Sequence, residues 1–305
     1  MSGEKESTKS EYWRPEVSTI KEDNIHGSVY LANQALNIVE EFVNRGLYNN
    51  RTELLQSLSK LSNALVRAKP LMALIFNRTR SVIDFIQDIP KEEKDIQTIK
   101  SVALDRIKEM RKEADQRVDK ITLFGARMIM DQHLILVHSY SKIVHSILDK
   151  AGKMKKRFSV ICTESRPVNE GSKMALQLAK AGVKTTLIPD ADVARAVNEA
   201  NFILTGTDRF TETSFVSKTG THTLAILARS MNKPLYIAGE TAKILLKRTY
   251  PVRFSQNKSS EIFKEKHANL NIRNIYFEET PLSHVSKIII EDGIFELKEL
   301  IDRYL

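Results

Sequence analysis

Asp208, in the stretch TGTDRF, follows the apolar run Phe202–Thr205. A carboxylate there can end a strand in water, cap a neighbouring element or face a ligand. Similar runs elsewhere are followed by other charged residues: Arg166 in TESRP, and Glu240 and Lys243 in GETAK. Arg166 can grip a phosphate or pair with Glu164. Lys218 opens KTGTHT, where Gly220 sits between Thr219 and Thr221 at the start of an apolar helical pattern. Either threonine can cap that helix. A helix N-terminus beside glycine offers backbone N–H groups and partial positive charge, which suits a phosphate, and Lys218 adds a full charge. If the strands are parallel, Arg166, Asp208, Lys218, Glu240 and Lys243 line one crevice.

Other chemistries find less support. Neither G-x-x-x-x-G-K-[ST] nor G-x-G-x-x-G occurs. His138 and His145 are seven residues apart, which is not the close pairing of a metal site. His138 reads as a hydrogen-bonded structural group. Cys162 lies inside an apolar run and reads as a small core residue. No metal or cofactor is expected.

Two kinds of pattern must position these residues. From 24 to 130 the chain reads helical. Leu31, Ala35, Ile38, Val39 and Phe42 recur three or four apart, and Gly46 supplies a stop. Leu54, Leu58, Leu61 and Leu65 repeat the spacing before Pro70, and Ile96, Ile99, Ala103, Ile107, Met110 and Ala114 form a third stripe. From 133 the rhythm changes to HLILV, FSVIC, KTTLI, NFILT, PLYIA and KIIIE, with helical stretches such as 171–182 and 219–231 between several of them. That alternation argues for a mostly parallel sheet covered on both faces. Ligands in such sheets bind past the carboxyl ends of the strands, near a switch in strand order. Residues 251–272 are polar and weakly periodic, and read as an excursion. The fold class is α/β, with an all-α helical domain over 21–130, a Rossmann-like domain over 131–305 and a mobile tail over 1–20.

The composition agrees. With 305 residues, 42% hydrophobic and 28% charged, the chain can bury a substantial core. No apolar run approaches the length needed to span a bilayer, and the first residues lack an apolar secretion core. One cysteine rules out an internal disulfide framework and suits a reducing cytoplasm. A formal charge of +9 favours anionic partners: phosphorylated small molecules, nucleic acid or acidic protein faces.

Taken in order, VHSYS, VICTESRP, GTDRF, KTGTHT and GETAK resemble the family of translation initiation factor 2B alpha, beta and delta subunits. That family also holds ribose-1,5-bisphosphate and methylthioribose-1-phosphate isomerases. YFEETPLSHVSKIIIEDGIF resembles its closing segment, with Glu278 or Glu279 in place of an aspartate. The likeness covers about residues 24–305. It implies a helical domain, a Rossmann-like domain, a sugar-phosphate or nucleotide pocket between them, and assembly with other copies or related subunits. Carried over by motif, the pocket residues are His26, Gly27, Ser28, Lys69, Ser139, Arg166, Asp208, Ser217, Lys218, Gly220, Glu240 and Lys243.

The departures point to function. Isomerase members carry a cysteine where this chain has Ser139, working with the aspartate that matches Asp208. A thiol ionises near pH ~8.5 and can be tuned to move a proton, whereas an unassisted serine is poorly suited. An Arg-Gly-Ala becomes His26-Gly27-Ser28, which removes a guanidinium fork for phosphate. An Arg-Pro becomes Lys69-Pro70, and an Asn-Lys becomes Ser217-Lys218. The resemblance therefore implies a cytoplasmic, non-catalytic binding and assembly subunit holding a phosphorylated small molecule, with initiation factor 2 as a possible partner. The alternative is a sugar-phosphate isomerase with Asp208 as one acid–base group and Cys162 or water as the other. A nucleic-acid binder rests on charge alone.

Overall fold

The computed structural model describes residues 11–46 and 48–305. The chain divides into two compact units, Met1–Gln116 and Arg117–Leu305. The boundary falls inside a long helix, earlier than the switch from helical to strand-rich sequence near 131. That switch marks where strands begin, and the last turns of the helix belong to the second unit.

The first unit is helical. Its helices are α1 (Arg14–Glu22), α2 (Ser28–Arg45), α3 (Arg51–Ala68), α4 (Ala73–Asp88) and the start of α5 (Ile96–Met128). Half of the tail expected over 1–20, residues 1–10, lies outside the described residues. Within the rest, Pro15 stands in the first turn of α1 and Trp13, Val17 and Ile20 are buried. Their spacing puts one apolar stripe on a single helix face, so this part of the expected tail is anchored. Gly46 closes α2 in the left-handed conformation. Asn50 caps α3 by accepting from the Glu53 N–H. Leu31, Leu36, Leu54, Leu58, Leu61, Leu65, Leu74 and Ile75 are fully buried.

The second unit carries β1 (Leu134–Val137), α6 (Lys142–Lys153), β2 (Ser159–Thr163), α7 (Glu170–Lys180), β3 (Lys184–Ile188), α8 (Val193–Glu199), β4 (Phe202–Gly206), β5 (Arg209–Phe210), β6 (Ser214–Lys218), α9 (Thr221–Ser230), β7 (Leu235–Ala238), β8 (Phe277–Pro281), β9 (Lys287–Ile290), β10 (Gly293–Phe295) and α10 (Leu297–Tyr304). Seven strands form one sheet in the order β10-β9-β7-β4-β1-β2-β3, parallel except for β10. Successive strands run outward from β1 to one edge and from β4 to the other. The order therefore reverses between β1 and β4, which pair with Val137 opposite Leu204.

Both faces of the sheet are apolar. Ile135, Val137, Val160, Cys162 and Leu204 join a core beneath α6 and α7, and Leu136, Ile161 and Ile203 join another beneath α8 and α9. This is why the strands read as continuous hydrophobic runs. A second, antiparallel sheet, β5-β6-β8, grows from the stretch after Asp208. Residues 251–272 are mostly irregular, as expected. They are pinned by buried Asn274, whose side chain donates to Lys258 O at 2.7 Å and Glu261 Oε2 at 2.8 Å.

Candidate functional site

The loops after the neighbouring strands β1, β2 and β3 meet past their carboxyl ends, on one side of the strand-order reversal. Ser139 and Ser165 both adopt left-handed backbone angles, φ 68° and 63°. Such angles cost a non-glycine residue on the order of 1 kcal/mol and gather at functional sites. The Ser139 N–H donates to Ser165 Oγ at 2.8 Å, and Asp190 accepts from the N–H groups of Ser165 and Arg166 at 2.8 and 2.7 Å. Three strand ends are thus tied together by one polar network.

His138 anchors it from below. Its ring is 4% exposed. Nε2 lies 2.8 Å from Thr219 O, which can only accept, so Nε2 carries the proton. Nδ1 then accepts from Thr163 Oγ1 at 2.7 Å. This satisfied neutral ring is the structural histidine expected from the sequence. Burial holds its pKa below the ordinary value, against Asp190 and Glu170 nearby. The native state thus binds fewer protons here than the unfolded chain. The resulting stability is present above about pH 6.5 and is lost as pH falls below it. Urea unfolding at pH 7, 6 and 5 should show the loss, and His138→Gln should reduce its slope by up to about 1.4 kcal/mol per pH unit. An unchanged slope would refute this.

Above the network lies a charged cluster that sequence reasoning only half anticipated. Glu170, at the first turn of α7, accepts from Ser139 Oγ at 2.9 Å and from Lys218 Nζ at 2.7 Å, both on Oε1. Lys218 is 4% exposed, and its ammonium also stands 5.2 Å from the centre of the Tyr276 ring. Glu170 was missed, although it opens a helix in the stretch RPVNEG.

The Gly220 turn differs from expectation. Gly220 has φ 99°, and a Cβ there would stand 3.0 Å from His138 Nε2, so both backbone and space require glycine. Neither threonine caps α9: Thr221 Oγ1 donates back to Lys218 O at 2.6 Å, and the Thr219 N–H donates to Tyr276 O. Glu278 fills the place instead. Its Oε1 accepts from the N–H groups of Gly220 and His222, each at 2.8 Å. The anion position read for a phosphate thus holds a carboxylate of the chain. Its reach across from β8 depends on the small antiparallel sheet, which local periodicity does not reveal. Glu278→Ala should cost about 1–2 kcal/mol, as loss of a helix cap does, and Glu278→Gln less, because an amide oxygen still accepts. Thermal melts check the order of the two variants.

The other expected residues divide clearly. Arg166 is exposed, and its guanidinium donates to Glu261 O at 3.4 Å. The Ser217 hydroxyl is buried and donates to Gly206 O at 3.0 Å, so it holds β6 to β4. Lys243 is buried and donates to Thr207 O at 2.6 Å, one residue before Asp208. Glu240 is fully buried, 3.5 Å from Arg117 Nε. Asp208 is partly exposed, and among the described residues its carboxylate has no hydrogen bond or ion pair. Cys162 is 1% exposed in the core, and burial pushes its thiol up to about 12.

His26, Gly27, Ser28 and Lys69 belong to the helical unit. Lys69 Nζ donates to Asp23 O at 2.8 Å and Asn24 Oδ1 at 3.1 Å, which brings it to the turn before His26. His26 stacks on Tyr30, and its Nδ1 lies 2.7 Å from Asp23 Oδ2. Among the described residues no three His, Cys, Asp or Glu side chains gather as a metal site, and no helix is long and apolar enough to cross a membrane.

The sequence profile of the initiation factor 2 subunit family matches residues 24–297. The "Putative translation initiation factor eIF-2B subunit 2-like" protein of Pyrococcus horikoshii is 32% identical over 281 residues, covering 90% of this chain and 93% of that one. The "Ribose 1,5-bisphosphate isomerase" of Methanocaldococcus jannaschii is 27% identical over 281 residues, covering 90% and 88%. A solved structure of Pyrococcus horikoshii translation initiation factor eIF-2B superposes with a TM-score of 0.80 at 26% identity, over 95% of this chain and 99% of that one. The strand-end motifs, the doubly wound sheet and these matches agree, and the chain belongs to the initiation factor 2 subunit family.

Proposed function

We propose that this chain is an initiation factor 2B-like binding and assembly subunit that holds a phosphorylated sugar or nucleotide without converting it. One observation carries the reading: the Ser139 hydroxyl is committed to Glu170, and the only cysteine is sealed in the core with its thiol pushed up to about 12. At neutral pH such a thiol is almost entirely protonated. Serine beside a carboxylate already engaged by lysine is a poor proton carrier. Association with copies of itself or related subunits, and with initiation factor 2 in the cytoplasm, extends this reading from family membership.

Calorimetry with AMP, GMP, ribose 5-phosphate and ribose-1,5-bisphosphate tests the ligand, and light scattering tests assembly. Binding of none of the four would overturn the ligand part. The isomerase reading keeps one support besides the named relative: the partly exposed Asp208 carboxylate lies just past the end of β4 without a hydrogen bond or ion pair among the described residues. Turnover of ribose-1,5-bisphosphate that disappears in Asp208→Asn would favour it, and absence of turnover favours binding.

A further inference from the structure

We propose that the amino-terminal rim of the seven-stranded sheet, the end away from the candidate site, docks a nucleic-acid duplex through its phosphates. This function is separate from the pocket and does not depend on what the pocket holds.

The rim collects the C-terminal ends of three helices. α5, α6 and α7 lead into β1, β2 and β3, which are neighbouring parallel strands. Parallel strands begin at one side, so the three helices end at that side. Ile121 and Ala126 of α5, Ile147 and Leu148 of α6, and Met174 and Leu178 of α7 join one core on one face of the sheet. Helices packed side by side have axes about 8–10 Å apart, so the three ends span roughly 20 Å.

Positive charge gathers there. Residues 125–133, 149–159 and 178–184 hold eight Lys or Arg against two acids, Asp131 and Asp149. Cations in a last helical turn favour the negative end of the helix dipole. Lys156 serves α5 in this way, since its ammonium donates to the carbonyls of Ala126, Arg127 and Ile129. That duty does not account for the rest, because Lys155, Arg157 and Lys184 lie beyond the helix ends and are exposed. Asp149 answers Lys153 at 2.6 Å, and Asp131 answers Arg157 at 4.0 Å. Arg127, Lys150, Lys155, Lys180 and Lys184 are exposed without a hydrogen bond or ion pair among the described residues. Like charges fixed on helix ends repel one another, and a polyanion laid across them relieves that repulsion.

The rest of the rim decides which polyanion. Single strands are held by stacking their bases on exposed rings. Here Phe158 is buried, and His133 packs edge-on against Phe202. Met130 and Met154 are the large apolar side chains exposed on the rim among the described residues. They are too few for the apolar stripe of a bound amphipathic peptide or a membrane-surface site. A duplex hides its base faces and presents a phosphate about every 3.4 Å along each strand, which suits cations alone.

Fluorescence anisotropy on the full chain tests this, with labelled DNA and RNA duplexes of one sequence. Five unanswered cations should give the DNA duplex a slope of log K against log salt near −4.5, about a 500-fold loss between about 50 and 200 mM salt. The triple variant Arg127→Ala/Lys155→Ala/Lys184→Ala should cut that loss to about tenfold. Removing three exposed cations elsewhere, in Arg253→Ala/Lys264→Ala/Lys266→Ala, should leave the slope as it is. Binding of both duplexes, or of one, supports the proposal and tells RNA from DNA. A wild type that binds neither at about 50 mM salt overturns it. So does a folded rim variant with the wild-type slope, or equal losses in the two triple variants, which would mean net charge alone. A single strand of the same sequence bound more than about tenfold tighter than either duplex overturns it in favour of stacking. Displacement of the duplex by polyglutamate at equal charge, or by phosphatidylserine vesicles, overturns it in favour of an acidic protein or a lipid surface. If melts show the rim variant unfolded, the wild type decides, and a slope shallower than about −2 overturns the proposal.

Discussion

Gly171→Ala should destabilise the second unit by about 3 kcal/mol and detach Glu170 from its partners. A Cβ at this position would stand 1.9 Å from Thr163 O and 2.7 Å from Ser165 Oγ. The first of these is backbone at the end of a central strand, so it cannot swing aside as a side chain does. α7 must instead retreat by more than an ångström. Overpacking costs typically 1–3 kcal/mol, and more where the clash is with backbone. For a unit of this size the melting temperature should fall by roughly 6–12 °C. Glu170 precedes Gly171 in the first turn of the same helix, so its 2.9 Å and 2.7 Å contacts to Ser139 and Lys218 should be lost with it. Gly27→Ala is the contrasting control. Nothing lies within 4 Å of a Cβ there and φ is −78°, so the change should cost under about 1 kcal/mol, the scale of an N-cap preference. Melts of the two variants check the difference, and a Gly171→Ala protein as stable as Gly27→Ala would refute the close approach.

The same positions explain what was readable in the chain. Six apolar runs announced the strands because residues buried on both faces must be hydrophobic at every position, and β1, β2, β4, β7 and β9 are of that kind. β3 was readable for another reason: its Lys184-Thr-Thr-Leu-Ile run is rich in β-branched residues although it lies at the edge of the sheet and is largely exposed. The residues after the runs announced the site, because a parallel sheet sends every strand end to one side. What stayed hidden depends on pairing between distant segments. Glu278 reaches α9 only because β8 pairs with β6 across some sixty residues, and no local period encodes that. Glu170 looks like an ordinary acidic first-turn residue, and only the left-handed turn at Ser139 brings a hydroxyl to it. The lysine expected to greet a phosphate is present at the expected strand end, but its charge is answered by a carboxylate whose sequence distance gave no hint of contact.

Arg209 carries the same lesson with a larger effect on stability. Its place beside Asp208, after a strand, gives no local sign of burial. It is instead fully buried. Its Nε donates to Leu245 O at 2.6 Å, and Nη2 donates to Leu246 O at 3.0 Å and to Tyr250 O. The fork thus staples residues 245–250 onto β5, where Leu245 N–H also donates to Phe210 O at 2.9 Å. These backbone carbonyls lie in an irregular stretch without a strand neighbour of their own, so the guanidinium takes the place of a missing ladder. Arg209→Leu fills most of the volume but removes this donor from three carbonyls, of which Leu246 O keeps the N–H groups of Thr249 and Tyr250. A hydrogen bond from a charged donor contributes about 1.5–3 kcal/mol, and partial hydration of the loosened segment brings the expected loss of the three to about 3–5 kcal/mol. Arg209→Lys should recover under half, since one ammonium on a flexible stem cannot reproduce the planar fork. Hydrogen exchange should locate the damage at the amides of 243–250, which include Lys243, whose ammonium holds Thr207 O beside Asp208. A leucine variant within 1 kcal/mol of wild type, or exchange unchanged over that segment, would show that the staple is dispensable and that the end of β4 is held by the sheet alone.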